Sequence, residues 1–431
     1  MSRDDPGSVL LSFDARAAQG KRVAYMAVYA LGAFAIINQG LGVTFLNPIA
    51  NVWGVFPVFA LAWAAMVRRA HGVERSQPAW AKYAWWYVVY TLALVLADLK
   101  HPVLALNAWT VDVEYIFVGL LVPLALDAED TLKLFYGVIA MSMLMGVDGW
   151  FQFLIKVPIP SQWLDVGEHV RTRVFTVMKS PAEFGANLEL TLPLMLGLFA
   201  VDQDKRRRRV YLVGAFVALG ALFMTYDRGS WLGLFAAAVV VSAAFERRLL
   251  PVLGGIAALG LCVPSLRHRA LDLLNPVYFV KSSAGGRMAL WQQAFDVMSR
   301  NPLFGSGLGY YGGYVATSHS FSAFSDNYYA KVLGETGILG LVLFMAMHVA
   351  IVREMIRCVR RSTGGSRLLA LGGLTGITAI LIHSFVENLF EYNYTASLYY
   401  LLVGLLFTWG RSLPEADETR SRWRKARMSD E

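Results

Sequence analysis

An all-α integral membrane protein, with about twelve transmembrane helices and a large extracytoplasmic helical loop between the ninth and the tenth, is what this sequence predicts. Three observations lead there. Hydrophobic residues make up 56% of the 431, with a mean hydropathy of +0.47. Charged residues are 16%, against roughly a quarter in a soluble domain. Apolar runs of about 20 residues, the length needed to cross lipid, recur along the chain, and no segment alternates long enough for a barrel strand. A water-soluble fold cannot hide that much apolar surface, which excludes a soluble enzyme and a disordered or collagen-like chain. Within lipid each segment must satisfy its own backbone, so the spans are helices.

Residues 1–22 are polar, and the apolar run after them is too long for a cleavable signal core, so it reads as the first span. The twelve stretches are approximately 23–44, 49–67, 80–97, 113–128, 131–155, 182–202, 209–225, 228–245, 248–264, 333–353, 368–388 and 396–411. The fourth and twelfth are short enough to be tilted or partly interfacial. With both termini cytoplasmic, alternation places every dense basic cluster inside. These are Arg68, Arg69 and Arg75; Lys205 to Arg209; Arg247 and Arg248; Arg353, Arg357, Arg360, Arg361 and Arg367; and Arg420 to Arg427. Topology therefore explains the net charge of +8 and the pI of 9.4, and the lipid bilayer, not nucleic acid, is the expected partner. Cys262 and Cys358 form neither a disulfide framework nor a zinc spacing. With no internal repeat or second soluble domain, residues 1–431 read as one polytopic domain, with outer loops at 156–181 and 265–330.

Those loops hold the charge that topology leaves unexplained: Arg171, Arg173 and Arg287, with Arg228 at a span start. In the larger loop Met288, Trp291, Phe295 and Met298 fall at helical spacing. That predicts an amphipathic helix lying on the membrane surface or capping the bundle, ended by Asn301-Pro302. Gly305, Gly307, Gly309, Gly312 and Gly313 follow. The string lacks the strand, helix and acid of a nucleotide-binding loop, and suits flexible backbone around an acceptor or a headgroup. Asp326-Asn327 is a helix start, from which Asp326, Asn327 and Lys331 project at the outer face. Capping and chemistry are equally open for Asp326. Glu335, four residues past Lys331, is placed to orient it. His383 and Glu387, at i and i+4 near the outer end of the eleventh span, are either functional or each other's partner. Two ligands without a third give no metal site, and without an Asp-x-Asp motif no metal is expected. Asp98 and Asp148 lie near outer span ends, within reach of sugars. Trp163, Tyr310, Tyr311, Tyr328 and Tyr329 read as interfacial belt.

Four segments together resemble the O-antigen ligase and O-antigen polymerase superfamily of bacterial envelope glycosyltransferases. RVFTVMKSPAEFGANLELTLPL, from Arg173, is similar to the family's Arg followed by Pro and a span. TYDRGSWLGLF, around Arg228, is similar to its Ser-Arg-Gly. GRMALWQQAFDVMSRNPLFGSGLG, from Arg287, is similar to its Arg, Trp and Asn/His-Pro-Leu-hydrophobic-Gly-x-Gly. SDNYYAKVLGETGILGL is similar to its His-Asn and Glu-x-Gly-x-x-Gly. The chain departs from the family at Asp326, which stands where the ligases have His; His319 lies seven residues upstream.

The resemblance implies a GT-C-like fold in the bacterial inner membrane, a periplasmic site and an inverting transfer without cofactor. The donor is a glycan on undecaprenyl pyrophosphate, and the acceptor a sugar hydroxyl of lipid A core (a ligase) or of a second glycan (a polymerase). Arg173, Arg228 and Arg287, with Arg171 assisting, are expected to grip the pyrophosphate, since guanidinium stays charged and holds two oxygens at once. Asp326 or His319 is the expected base, with Asn327, Lys331, Glu335, His383 and Glu387 in support. A transporter of lipid-linked glycans is the competing reading, disfavoured by charge concentrated outside instead of at the midplane.

Overall fold

The computed structural model describes residues 6–50, 52–160, 172–271 and 286–413. Regular secondary structure among them is helical, with one isolated bridge between Gly312 and Phe324. The long helices are α1 (Pro6–Gly32), α2 (Phe34–Gly42), α3 (Val55–Ala70), α4 (Ala81–Ala97), α5 (Pro102–Val113), α6 (Ile116–Ala125), α7 (Thr131–Leu154) and α8 (Pro181–Val201). They continue with α9 (Lys205–Met224), α10 (Arg228–Phe245), α11 (Leu250–Cys262), α12 (Pro264–Leu271), α13 (Arg287–Arg300), α14 (Tyr328–Arg361), α15 (Gly364–His383) and α16 (Asn393–Gly410).

Five helices among the described residues are long and apolar enough to cross a membrane, or up to seven if each of two bent pairs counts as one span. Twelve were expected. Several expected spans correspond to shorter or broken helices, such as the 10 residues of α6 and the 13 of α11. The first expected span breaks at Ala33, where α1 and α2 meet at 72°, and α5 and α6 meet at 49°. Side chains hold the first bend: Asn38 of α2 donates to the Tyr394 hydroxyl at 2.6 Å and accepts from the Trp53 indole at 3.0 Å.

Helix α8 is the axis of the bundle, buried along nearly its whole length. Ser180 caps it by accepting from the Glu183 amide at 3.1 Å, while the Glu183 carboxylate accepts from the Lys179 amide at 2.9 Å. This reciprocal box has Pro181 at the first helical position. Its closest neighbour is α15, whose Gly372 lies so near that a Cβ there would come within 2.3 Å of the Pro193 carbonyl oxygen. Such small residues let membrane helices approach and pack without a hydrophobic driving force.

The ends of the bundle differ. At one, Lys21, Arg68 and Arg75 converge on Asp127, and Arg411 donates to the Pro123 carbonyl at 2.6 Å. Arg361 and Arg367 cap the Leu413 and Phe245 carbonyls. The opposite end carries Asp98, the α9–α10 turn, α13 and the starts of α14 and α16. The amphipathic helix forms as α13. Trp291, Ala294 and Val297 lie against Tyr311 and Ala330, while Met288 and Phe295 are exposed. Tyr311 and Tyr328 are likewise interior, not belt, residues: each hydroxyl has an internal acceptor, Leu290 and Asp112 respectively.

Candidate active site

The turn between α9 and α10 places two of the expected arginines. Residues 172–176 run alongside it: the Val174 amide donates to the Met224 carbonyl at 3.1 Å, and Arg173 Nε donates to the Thr225 carbonyl at 3.1 Å. Tyr226 takes a left-handed backbone, with φ 51°. Asp227 then caps α10 by accepting from the Ser230 amide at 2.9 Å, and Arg228 is the first helical residue. Asp227 feels opposing influences. Burial works against its ionisation, but the His383 imidazole, the Ser230 amide and Arg173 together hold its carboxyl below the ordinary range.

His383, at the last turn of α15, is buried between two acids. Its Nδ1 lies 2.9 Å from Glu189 of α8, and its Nε2 3.4 Å from Asp227. It is these carboxylates, not that of Glu387, that lie within hydrogen-bond or ion-pair distance of its ring nitrogens. The glycine after Arg228 is explained here, because a Cβ on Gly229 would come within 2.4 Å of His383 Nε2.

The third arginine starts α13, and its Nε is 3.1 Å from Oδ2 of Asp326. Asn327, not Asp326, caps α14, accepting from the Ala330 amide at 3.1 Å. The Asp326 side chain is thereby released to meet Arg287, from a left-handed backbone with φ 47°. Glu387 adjoins this pair and accepts from the Tyr392 hydroxyl at 2.7 Å. Burial first, then the Asp326 carboxylate, push Glu387 up to about 7, against the opposing pull of Tyr392 and Arg287. Asp227 also raises it, so the electrostatic contacts of Glu387 and Asp227 link Arg173 to Arg287 within one cluster.

A second polar cluster supports the first. Lys331, in the first turn of α14, is buried among three acids: Asp112 at 2.7 Å, Glu335 at 3.1 Å and Glu391 at 3.4 Å. The acids also hold the glycine-rich segment. Glu335 accepts from the Gly309 amide at 2.9 Å, and Glu391 from the Tyr314 amide at 3.1 Å. Asn388 donates to the Gly312 carbonyl at 2.8 Å. Gly305, Gly307, Gly309 and Gly312 all have positive φ, the region only glycine enters without strain. The segment docks on a break in α14 at Gly337, where Gly307 donates to the Glu335 carbonyl at 2.9 Å.

Of the remaining expected residues, Arg171 lies outside the described residues, as do Trp163 and the segment 272–285. His319 is exposed at the end of a five-residue helix, with its Nδ1 3.0 Å from the Val315 carbonyl and its ring stacked on Phe321. The described contacts do not join it to Arg287 or Asp326. Asp98 accepts from the Tyr310 hydroxyl at 2.8 Å, and Asp148 from Gln152 at 3.2 Å. Sequence reasoning assigned no role to Asp112, Glu189 or Asp227. The signal for the first two was present, since an acid within an apolar helix is costly unless it has a task.

Arginines and acids gathered at one end of the bundle offer cations beside a titratable carboxyl, an arrangement that is chemically able to hold an anion. Residues 213–345 match the family model described as O-Antigen ligase. The match takes in Arg228, Arg287 and Asp326 and bears out the resemblance to the O-antigen ligase and polymerase superfamily, with an enzyme of that general type in a bacterial membrane. No curated protein matches the chain.

Proposed function

We propose that the protein is an inverting, metal-independent glycosyltransferase of the bacterial inner membrane, acting at the periplasmic face. It moves a glycan from undecaprenyl pyrophosphate to a sugar hydroxyl, with lipid A core as the acceptor of a ligase. The observation that carries this reading is the Arg287–Asp326 pair beside Glu387, whose charge environment also includes Asp227, itself under the influence of Arg173.

In the reaction the acceptor oxygen attacks the anomeric carbon and gives its proton to the Asp326–Glu387 carboxyl pair. The bond from that carbon to the pyrophosphate oxygen breaks, and its electrons leave with the pyrophosphate. Charge grows on the leaving group, and fixed cations aimed at growing charge supply the largest share of many rate enhancements. Arg173, Arg228 and Arg287 provide them. Attack opposite the leaving group inverts the anomeric centre. Asp326, standing where the ligases carry His, favours a polymerase with a second glycan as acceptor as the other reading.

The test supplies purified protein with a lipid-linked glycan and either lipid A core or a second glycan, without nucleotide or added metal. A new glycoside together with free undecaprenyl pyrophosphate is expected, and the productive acceptor separates ligase from polymerase. No product with either acceptor, but counterflow of the glycan lipid in liposomes, would replace this reading with transport.

A further inference from the structure

A polar cleft lies beside the candidate active site, across the Tyr392–Tyr394 segment from Glu387. It is a small cavity of about 100 Å³, below the usual range of drug-sized sites. Its walls are Phe34 and Asn38 of the bent α1–α2 pair, Glu114 and Tyr115 in the break between α5 and α6, Lys179 ahead of α8, and Tyr394. Two broken helices thus flank one cavity. Irregular backbone within a membrane protein is tolerated where it lines such a space.

The chemistry of the walls is mixed in a specific way. Glu114 Oε1 is buried yet accepts no hydrogen bond among the described residues, a state that native proteins rarely leave unfilled. Asn38 is held in place by Tyr394 and Trp53. The Phe34 and Tyr394 rings meet edge-on at 5.1 Å, and Lys179 Nζ stands 5.6 Å from the Tyr394 ring. A phosphate would face the Glu114 carboxylate, a cation would face Lys179, and an acyl chain would strip water from both. A neutral polyhydroxylated ring fits all three features: its hydroxyls donate to Glu114, and its C–H faces lie on aromatic rings whose edges carry polar tips.

We propose that this cleft is a saccharide subsite, holding a sugar of the acceptor or of the donor glycan next to the reacting carbon. It rests on the glycan-transfer reading. The link between the sites is short: Tyr392 bonds Glu387, and Tyr394, two residues on, forms the cleft wall.

Binding without turnover tests it. The full chain in lipid nanodiscs is titrated with two probes, delipidated lipopolysaccharide core oligosaccharide and delipidated O-glycan, by saturation-transfer difference NMR. Glu114→Gln is expected to weaken one probe roughly tenfold, the size of a lost hydrogen bond to a charged group, and Asn38→Ala to weaken the same probe severalfold as the neutral amide that positions Tyr394 is lost. Loss of core binding assigns the cleft to the acceptor, and loss of O-glycan binding assigns it to the donor glycan. Inorganic pyrophosphate binding on the same samples reports the arginine cluster and the integrity of the fold. If pyrophosphate binds while neither oligosaccharide is weakened in either variant, the subsite is overturned and the transfer reading stands. If pyrophosphate fails to bind the unaltered chain, the transfer reading is what fails.

Discussion

Nε of Arg287 lies 3.1 Å from Oδ2 of Asp326, joining the first residue of α13 to the residue just ahead of the α14 cap. Both side chains are about a third exposed. A pair so placed adds little to stability, about 1 kcal/mol at most, so it serves better as a gate than as a strut. In the proposed reaction a pyrophosphate entering the cluster would offer Arg287 two oxygens in place of one, and would free Asp326 to face the acceptor.

Arg287→Ala should therefore lower transfer by about two to three orders of magnitude, the scale seen when one stabilising donor is removed from a transition state. The thermal unfolding midpoint and membrane insertion should change little. Arg287→Lys should recover only part of the rate, because an ammonium cannot hold two oxygens in a plane. Turnover by Arg287→Ala at the unaltered rate would remove the guanidinium from the mechanism.

The pH dependence follows from Glu387, which burial and Asp326 raise to about 7. A base must be ionised to accept a proton, so transfer should rise with pH through about 7 and level off above it. Asp227, held below the ordinary carboxylate range, stays ionised throughout and adds no inflection. Glu387→Gln should leave a slower enzyme with no inflection near 7. An inflection that persists unchanged in that variant would place the base elsewhere, and Asp326→Asn, followed by His319→Ala, would be the next measurements.

Gly229→Ala tests the wall behind Arg228. The added Cβ would sit 2.4 Å from His383 Nε2, so the imidazole must move away from Asp227 or the start of α10 must shift. Overpacking of this kind costs about 1–3 kcal/mol. A lower unfolding midpoint in detergent is expected, together with weaker pyrophosphate binding as Arg228 is displaced. A variant as stable as the parent would mean that His383 has room the geometry does not show.

Much of this was legible in the sequence. Apolar run length and composition specify helices in lipid, and outer arginines that the charge rule could not absorb pointed to the cluster around Asp326. What the sequence hid follows from how its signals work. The bend at Ala33 depends on Asn38 meeting Tyr394, 356 residues away, which no local pattern encodes. His383 and Glu387 matched a helical i, i+4 spacing, but α15 ends at His383, so His383 lies against Glu189 and Asp227 while Glu387 accepts from Tyr392. At Asp326-Asn327 capping and chemistry read as equally open for Asp326. Only the structure separates the capping asparagine from the aspartate it releases.

Lys331 supplies the last prediction. It is 1% exposed and meets Asp112, Glu335 and Glu391, which in turn hold the Gly309 and Tyr314 amides. Lys331→Met keeps the bulk of the side chain but leaves three buried acids without their cation. Removing one partner of a buried charge pair costs about 3–5 kcal/mol, because the other charge is stranded. Asp112→Asn should be milder, since the amide oxygen can still accept from Tyr328, which now bonds Asp112 at 3.1 Å, and two acids still compensate Lys331. Hydrogen exchange localises the effect. In Lys331→Met the amides of Gly309 and Tyr314 should lose protection before those of α8 and α15, because only the former depend on acids that Lys331 holds. Equal loss across the bundle would mean that Lys331 supports the fold as a whole; unchanged protection at Gly309 would mean that Glu335 holds the loop without it.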